Sequence, residues 1–112
     1  MPKDKLRAVL KELYAKLERI YGKDLYKAIL YGSYARGDYD EYSDIDVMVL
    51  VECGEDEIKK LEKDLNFIGS RMGLEYDVMI SLYARNREHF DRWREHMPYY
   101  RNIVAEGVEI SA

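Results

Sequence analysis

Apolar residues recur along this chain with two alternating periods, and the alternation predicts an α/β (α+β) domain, a small sheet with helices packed on it. Steps of three and four mark amphipathic helices. Between them lie short, continuous apolar runs of strand length, Leu25 to Tyr31 and Ile45 to Val51. The chain of 112 residues is long enough for one core and too short for two, so a single domain over residues 1–112 is expected. Hydrophobic residues at 47% and charged residues at 36% fit a folded chain rather than a disordered one.

Asp4 to Tyr21 reads as a helix: Leu6, Val9, Leu10, Leu13, Leu17 and Ile20 form one stripe, and Gly22 stops it. The strand Leu25 to Tyr31 follows. Gly32 then permits a sharp turn, with Ser33 as N-cap of a short helix Tyr34 to Arg36 that Gly37 ends. Ile45 to Val51 is apolar at consecutive positions, which predicts a strand buried on both faces. Ile58, Leu61, Leu65, Ile68 and Met72 mark a second long helix, Glu55 to Met72, with Gly73 as its stop. A third strand is expected over Leu74 to Leu82, and a third helix over Asn86 to His96. Pro98 breaks that helix; a last short helix over residues 99–104 and a tail from Gly107 to Ile110 complete the chain.

Charge and composition exclude some functions. A net charge of −4 argues against wrapping a long nucleic acid through its phosphates, although a local basic patch leaves short RNA open. No apolar run approaches the ~20 residues of a membrane span. Charges begin at Lys3, so no signal-peptide pattern opens the chain, and a cytoplasmic location is the default expectation. Cys53 is the sole cysteine, which rules out an internal disulfide; it reads as a small residue at a strand end.

The chemistry concentrates between residues 32 and 46. Asp44 and Asp46 are spaced i, i+2 at the start of a strand, so both project from one face. Two adjacent carboxylates repel unless a cation lies between them, and Mg²⁺ commonly binds through one or two carboxylates plus substrate phosphates. Just before them, the turn at Gly32 and Ser33 opens a helix whose N–H groups and dipole favour an anion. Arg36 lies one helical turn on, within reach of the same anion. Phosphate cradle and metal carboxylates together describe a site for a metal–nucleotide complex. Asp77 interrupts the expected third strand; a charge beside a core is costly unless paired or metal-bound, which makes it a candidate third carboxylate. Asp38, Asp40 and Glu41 read as loop acids, His89 and His96 as surface or partly packed residues outside any ligand pattern, and Trp93 as core or, between Arg92 and Arg94, as a partner-facing aromatic. Ser43 shapes the start of the strand by bonding nearby backbone.

Gly32-Ser33, Arg36-Gly37 and Ser43-Asp44-x-Asp46 resemble the signature of the nucleotidyltransferase superfamily that includes DNA polymerase beta. The chain is similar to its small stand-alone members, the minimal nucleotidyltransferase (MNT) domains, which are often encoded beside a HEPN-domain toxin. The dense match covers Gly32 to Asp46. The resemblance implies a mixed sheet in the polymerase-beta-like fold. It implies one or two Mg²⁺ on Asp44, Asp46 and Asp77, the last taken from a later strand. ATP is implied as substrate, with Gly32, Ser33, Arg36 and Ser43 at the nucleotide phosphates. It further implies an antitoxin of a type VII-like pair that transfers AMP to a tyrosine of its HEPN partner. Two rivals stand beside that expectation: an antitoxin that neutralises its partner by contact alone, and a small-molecule or RNA-end nucleotidyltransferase.

Overall fold

The computed structural model describes residues 1–111. Helix α1 (Lys3–Tyr21) is followed by a single 3-10 turn, Gly22–Asp24, and strand β1 (Leu25–Tyr31). A one-turn helix α2 (Ser33–Arg36) and a loop lead to β2 (Ile45–Val51). Helix α3 (Glu55–Tyr76) crosses to β3 (Ile80–Asn86), and α4 (Arg87–Trp93), α5 (Pro98–Glu106) and β4 (Val108–Ile110) complete the described chain. The sheet order is β3-β2-β1-β4. β1 runs antiparallel to both β2 and β4, and β2 runs parallel to β3, so the sheet is mixed as expected. The parallel pair needs a long crossover, which α3 supplies.

The period of two along β2 sends its side chains to two different layers. Ile45, Val47, Val49 and Val51 pack with Ala28, Leu30, Ile80, Leu82 and Ala84 beneath α1 and α3. Met48 and Leu50 face the other way and are covered by Phe90 of α4 and by Tyr100 and Ile103 of α5. The strand is therefore buried on both faces, which is why its sequence does not alternate. α4 and α5 reach the Met48 and Leu50 rows but leave the first row of β2 only half-buried, and Asp46 lies there.

Two expectations fail around residue 74. The second long helix does not stop at Gly73; it continues to Tyr76, and Asp77 caps it in the left-handed conformation, φ 54° and ψ 50°. Tyr76 lies four residues beyond Met72, on the same stripe, and its hydroxyl donates to Glu12 of α1 at 2.7 Å. That tertiary contact carries the helix through a glycine that reads locally as a stop. The third strand consequently begins at Ile80 rather than Leu74. The C-terminal tail also resolves into a strand, β4, paired with β1 through Leu30↔Val108 and Ala28↔Ile110.

Candidate active site

The sheet register assembles the site. Tyr31 of β1 lies opposite Asp46 of β2, and Ser81 of β3 lies on its other side. Paired residues share a face, so Tyr31, Asp46 and Ser81 form one row across the open end of the sheet. Asp44, two residues before Asp46, stands at the same edge of the strand.

Gly32 links this row to the preceding turn. It adopts φ 76°, a region that glycine enters without penalty, and acts as N-cap of α2. A Cβ at this position would lie 2.8 Å from Oδ2 of Asp46. The glycine is therefore required twice, by the backbone conformation and by the close approach of a carboxylate. The cap is Gly32 rather than Ser33, which occupies the first helical position, and no side chain caps the helix. Ala35 and Arg36 donate their N–H groups to the Gly32 carbonyl. The first N–H groups of such a turn have no acceptor within it. Tyr34 anchors the turn: it is buried in the core and stacks on Tyr39 at 4.2 Å, and Tyr39 donates its hydroxyl proton to the carbonyl of Met1.

Burial, reinforced by the negative charge of Asp44, raises the pKa of Asp46. Both causes penalise the carboxylate form, and both would be relieved by a cation. The donor set, Asp46 at the start of β2 and Asp44 just before the strand, suits a hard divalent ion such as Mg²⁺. Beside them, burial and a 2.6 Å hydrogen bond to Tyr99 of α5 push the Tyr31 hydroxyl far up, so it stays protonated.

The remaining expected site residues are placed differently. Arg36 is ion-paired with Asp38 and with Glu106 at the end of α5, each at 3.2 Å. Ser43 closes a turn: its Oγ accepts from the Asp40 N–H at 3.0 Å and donates to Oδ1 of Asp40 at 3.3 Å. That matches its expected role in shaping the start of the strand. Asp77 is not on a strand. It is exposed at the C-cap of α3, and among the described residues no three His, Cys, Asp or Glu side chains come together to hold a metal ion. The expected trio of convergent acids is thus not formed, and Asp44 is the acid whose charge acts on Asp46. The β3 residue beside Asp46 is Ser81. Sequence reasoning missed Ser81 and the Tyr31–Tyr99 hydroxyl pair; a strand start placed six residues later would have put Ser81 beside the acids.

The chain matches the nucleotidyltransferase domain family over residues 5–105. It belongs to that family. Two proteins of Methanocaldococcus jannaschii, each named "Putative protein adenylyltransferase", are similar to this nucleotidyltransferase domain. One is 44% identical over 73 residues, 65% of this chain and 72% of the relative. The other is 33% identical over 98 residues, 88% of this chain and 90% of the relative. Among solved structures, a toxin–antitoxin determined with AMP-PNP superposes with a TM-score of 0.56 at 21% identity, covering 90% of this chain and 72% of its own. A mutant of the toxin–antitoxin MntA-HpeT superposes with a TM-score of 0.54 at 21% identity, covering 100% of this chain and 73% of its own. These two likenesses establish the fold. No helix among the described residues is long and apolar enough to cross a membrane.

Proposed function

We propose that this domain transfers AMP from ATP to a hydroxyl of a partner protein, with Mg²⁺ at Asp44 and Asp46, and that the partner is a HEPN-domain toxin modified on a tyrosine. The observation that supports the reading is the 2.8 Å approach of Asp46 to the position of a Gly32 Cβ, which brings the Gly32 turn against that carboxylate. The names of the two relatives support a protein acceptor, and the toxin–antitoxin neighbours support a toxin as that acceptor.

Asp44 and Asp46 would hold the cation, which would supply charge neutralisation for the triphosphate and the reacting oxygens. The chain's own residues bind and orient. Gly32 lets the turn approach Asp46 closely, and the Ser33 hydroxyl with the free N–H groups opening α2 holds the β- and γ-phosphates. The acceptor oxygen attacks the α-phosphorus, and the bond from that phosphorus to the bridging oxygen breaks. Pyrophosphate departs with the bonding electrons, and water takes up the hydroxyl proton.

A second reading, neutralisation by contact alone, is favoured by one observation: Ser81, not a third acid, flanks Asp46 on β3. Incubation with the product of the neighbouring gene, with and without MgATP, separates the two by intact mass. An AMP adduct on a tyrosine supports transfer. An unchanged mass in a stable complex overturns it.

A further inference from the structure

We propose that the groove between the second half of α3 and the edge strand β3 docks the acceptor protein, and that it takes a segment carrying apolar side chains and lysine or arginine beside its hydroxyl. The inference rests on the reading of the site as transfer to a protein, and it adds where that protein sits and what chemistry it presents.

The groove has a volume of about 930 Å³. Its walls are α3 from Leu65 to Leu74, residues 78–83, and the loop Glu41 to Asp44. One end is thus Asp44 itself, and Ser81, the register neighbour of Asp46, lines the wall. A chain lying in it reaches Asp44, two residues before Asp46. The groove lies where α3 comes close to the chain leading into β3 without side chains between them. A Cβ at Gly69 would meet the Ile80 carbonyl at 3.1 Å, and one at Gly73 the Val78 carbonyl at 2.7 Å.

The rim is apolar and uncovered: Tyr42 is 85% exposed, Leu74 84% and Met79 65%. Tyrosine and methionine around one concavity are characteristic of protein interfaces, and clustered apolar exposure is uncommon on a free surface. The charged residues lining the groove are Glu41, Asp44 and Asp77, all acidic, with no lysine or arginine among the lining residues. With Asp44 given to the cation, Glu41 and Asp77 still make the groove acidic, so an RNA strand does not suit it, whereas a basic segment does. Arg85 donates to the Ala84 carbonyl at 2.8 Å, and the Ile80 carbonyl lies close to Gly69, so two carbonyls of β3 are engaged or crowded.

The test uses the intact chain and fluorescein-labelled poly(Lys,Tyr), poly(Glu,Tyr) and oligo-uridine, with binding followed by anisotropy in the absence of ATP. Poly(Lys,Tyr) is expected to bind at least about tenfold tighter than poly(Glu,Tyr). Glu41→Lys and the double variant Leu74→Ser with Met79→Ser should each weaken that binding by about fivefold or more. Glu62→Lys, on exposed α3 surface outside the groove, makes the same change in net charge and should leave binding nearly unchanged. The proposal is overturned if Glu62→Lys weakens binding as much as Glu41→Lys, if the double variant binds like the parent, or if oligo-uridine binds tightest. It is also overturned if the chain sediments as a dimer that the double variant dissociates, because the groove is then filled by a second copy. The substituted side chains are exposed, so melting curves should match the parent. Because no step requires ATP or metal, loss of docking leaves the transfer reading intact, and failure of AMP transfer leaves docking to be read independently.

Discussion

The two faces of the sheet are built from alternate residues of the same strands and serve different ends. One face is closed: Val47, Val49 and Val51 are fully buried with Leu13 and Leu17 of α1 and Met72 of α3. The other is covered only in part, by α4 and α5 over Met48 and Leu50, and its uncovered end carries Asp46 between Tyr31 and Ser81. Ile45 and Asp46 are chain neighbours with opposite surroundings, because consecutive strand side chains point to opposite sides. The difference teaches that stability and chemistry are separable in this fold at a spacing of one residue.

Substitutions on the two faces should therefore fail in different ways. Asp46→Asn is the largest expected effect on function: AMP transfer falls by about 10³-fold or more, as for loss of a central electrostatic group. The melting temperature holds or rises, since a carboxylate disfavoured by burial and by Asp44 is removed. AMP labelling beside thermal unfolding checks both, and normal transfer by this variant would remove the site from the place assigned to it. Leu13→Ala inverts the pattern. It empties space in the closed core and should cost about 3 kcal/mol in urea unfolding, with transfer per folded molecule unchanged.

Gly32→Ala tests the seam between the faces. The methyl group meets the Asp46 carboxylate, and the backbone is held at φ 76°, so both properties should drop. The backbone strain alone costs about 1 kcal/mol. A variant that loses stability but transfers AMP normally would show that the approach of the turn to Asp46 serves only the fold.

The smallest effect lies on the closed side, at the tie between α1 and α3. The Tyr76 hydrogen bond holds the Glu12 carboxyl below its usual range, and that same bond raises the Tyr76 hydroxyl to about 12. A lowered carboxylate stabilises above its unfolded pKa and loses that contribution as pH falls through the folded one; a raised phenol stabilises below its unfolded pKa and loses it as pH climbs through the folded value. Tyr76→Phe should therefore lower the melting temperature slightly at neutral pH, with the two curves converging in acid. A difference that persists unchanged at about pH 2, below the usual carboxylate range, would assign the effect to packing instead.

Legibility in the sequence followed how local the determinant was. β1 and β2 fall on their expected bounds because continuous apolar runs between turn residues are local signals. The Gly32 turn was legible for the same reason, since a glycine between an apolar run and a small-residue helix start is a local signal. Asp77 was not. Val78, Met79 and Ile80 read as strand in isolation, and only the Tyr76–Glu12 contact across 64 residues shows that the helix persists. Ser81 enters the row beside Asp46 through the β2–β3 register, a property of two strands at once. The three-residue β4 is too short to announce itself and exists because β1 offers an unpaired edge.

Arg36 also bears on the C-terminal segment. Its guanidinium is already clasped by two acids, one of them Glu106, where α5 hands over to β4. Any anion arriving at that side chain must compete with Glu106 for its donors. An anion held by Arg36 and the anchorage of α5 would thus draw on a single cation, so that binding at the turn would loosen the tail of the chain.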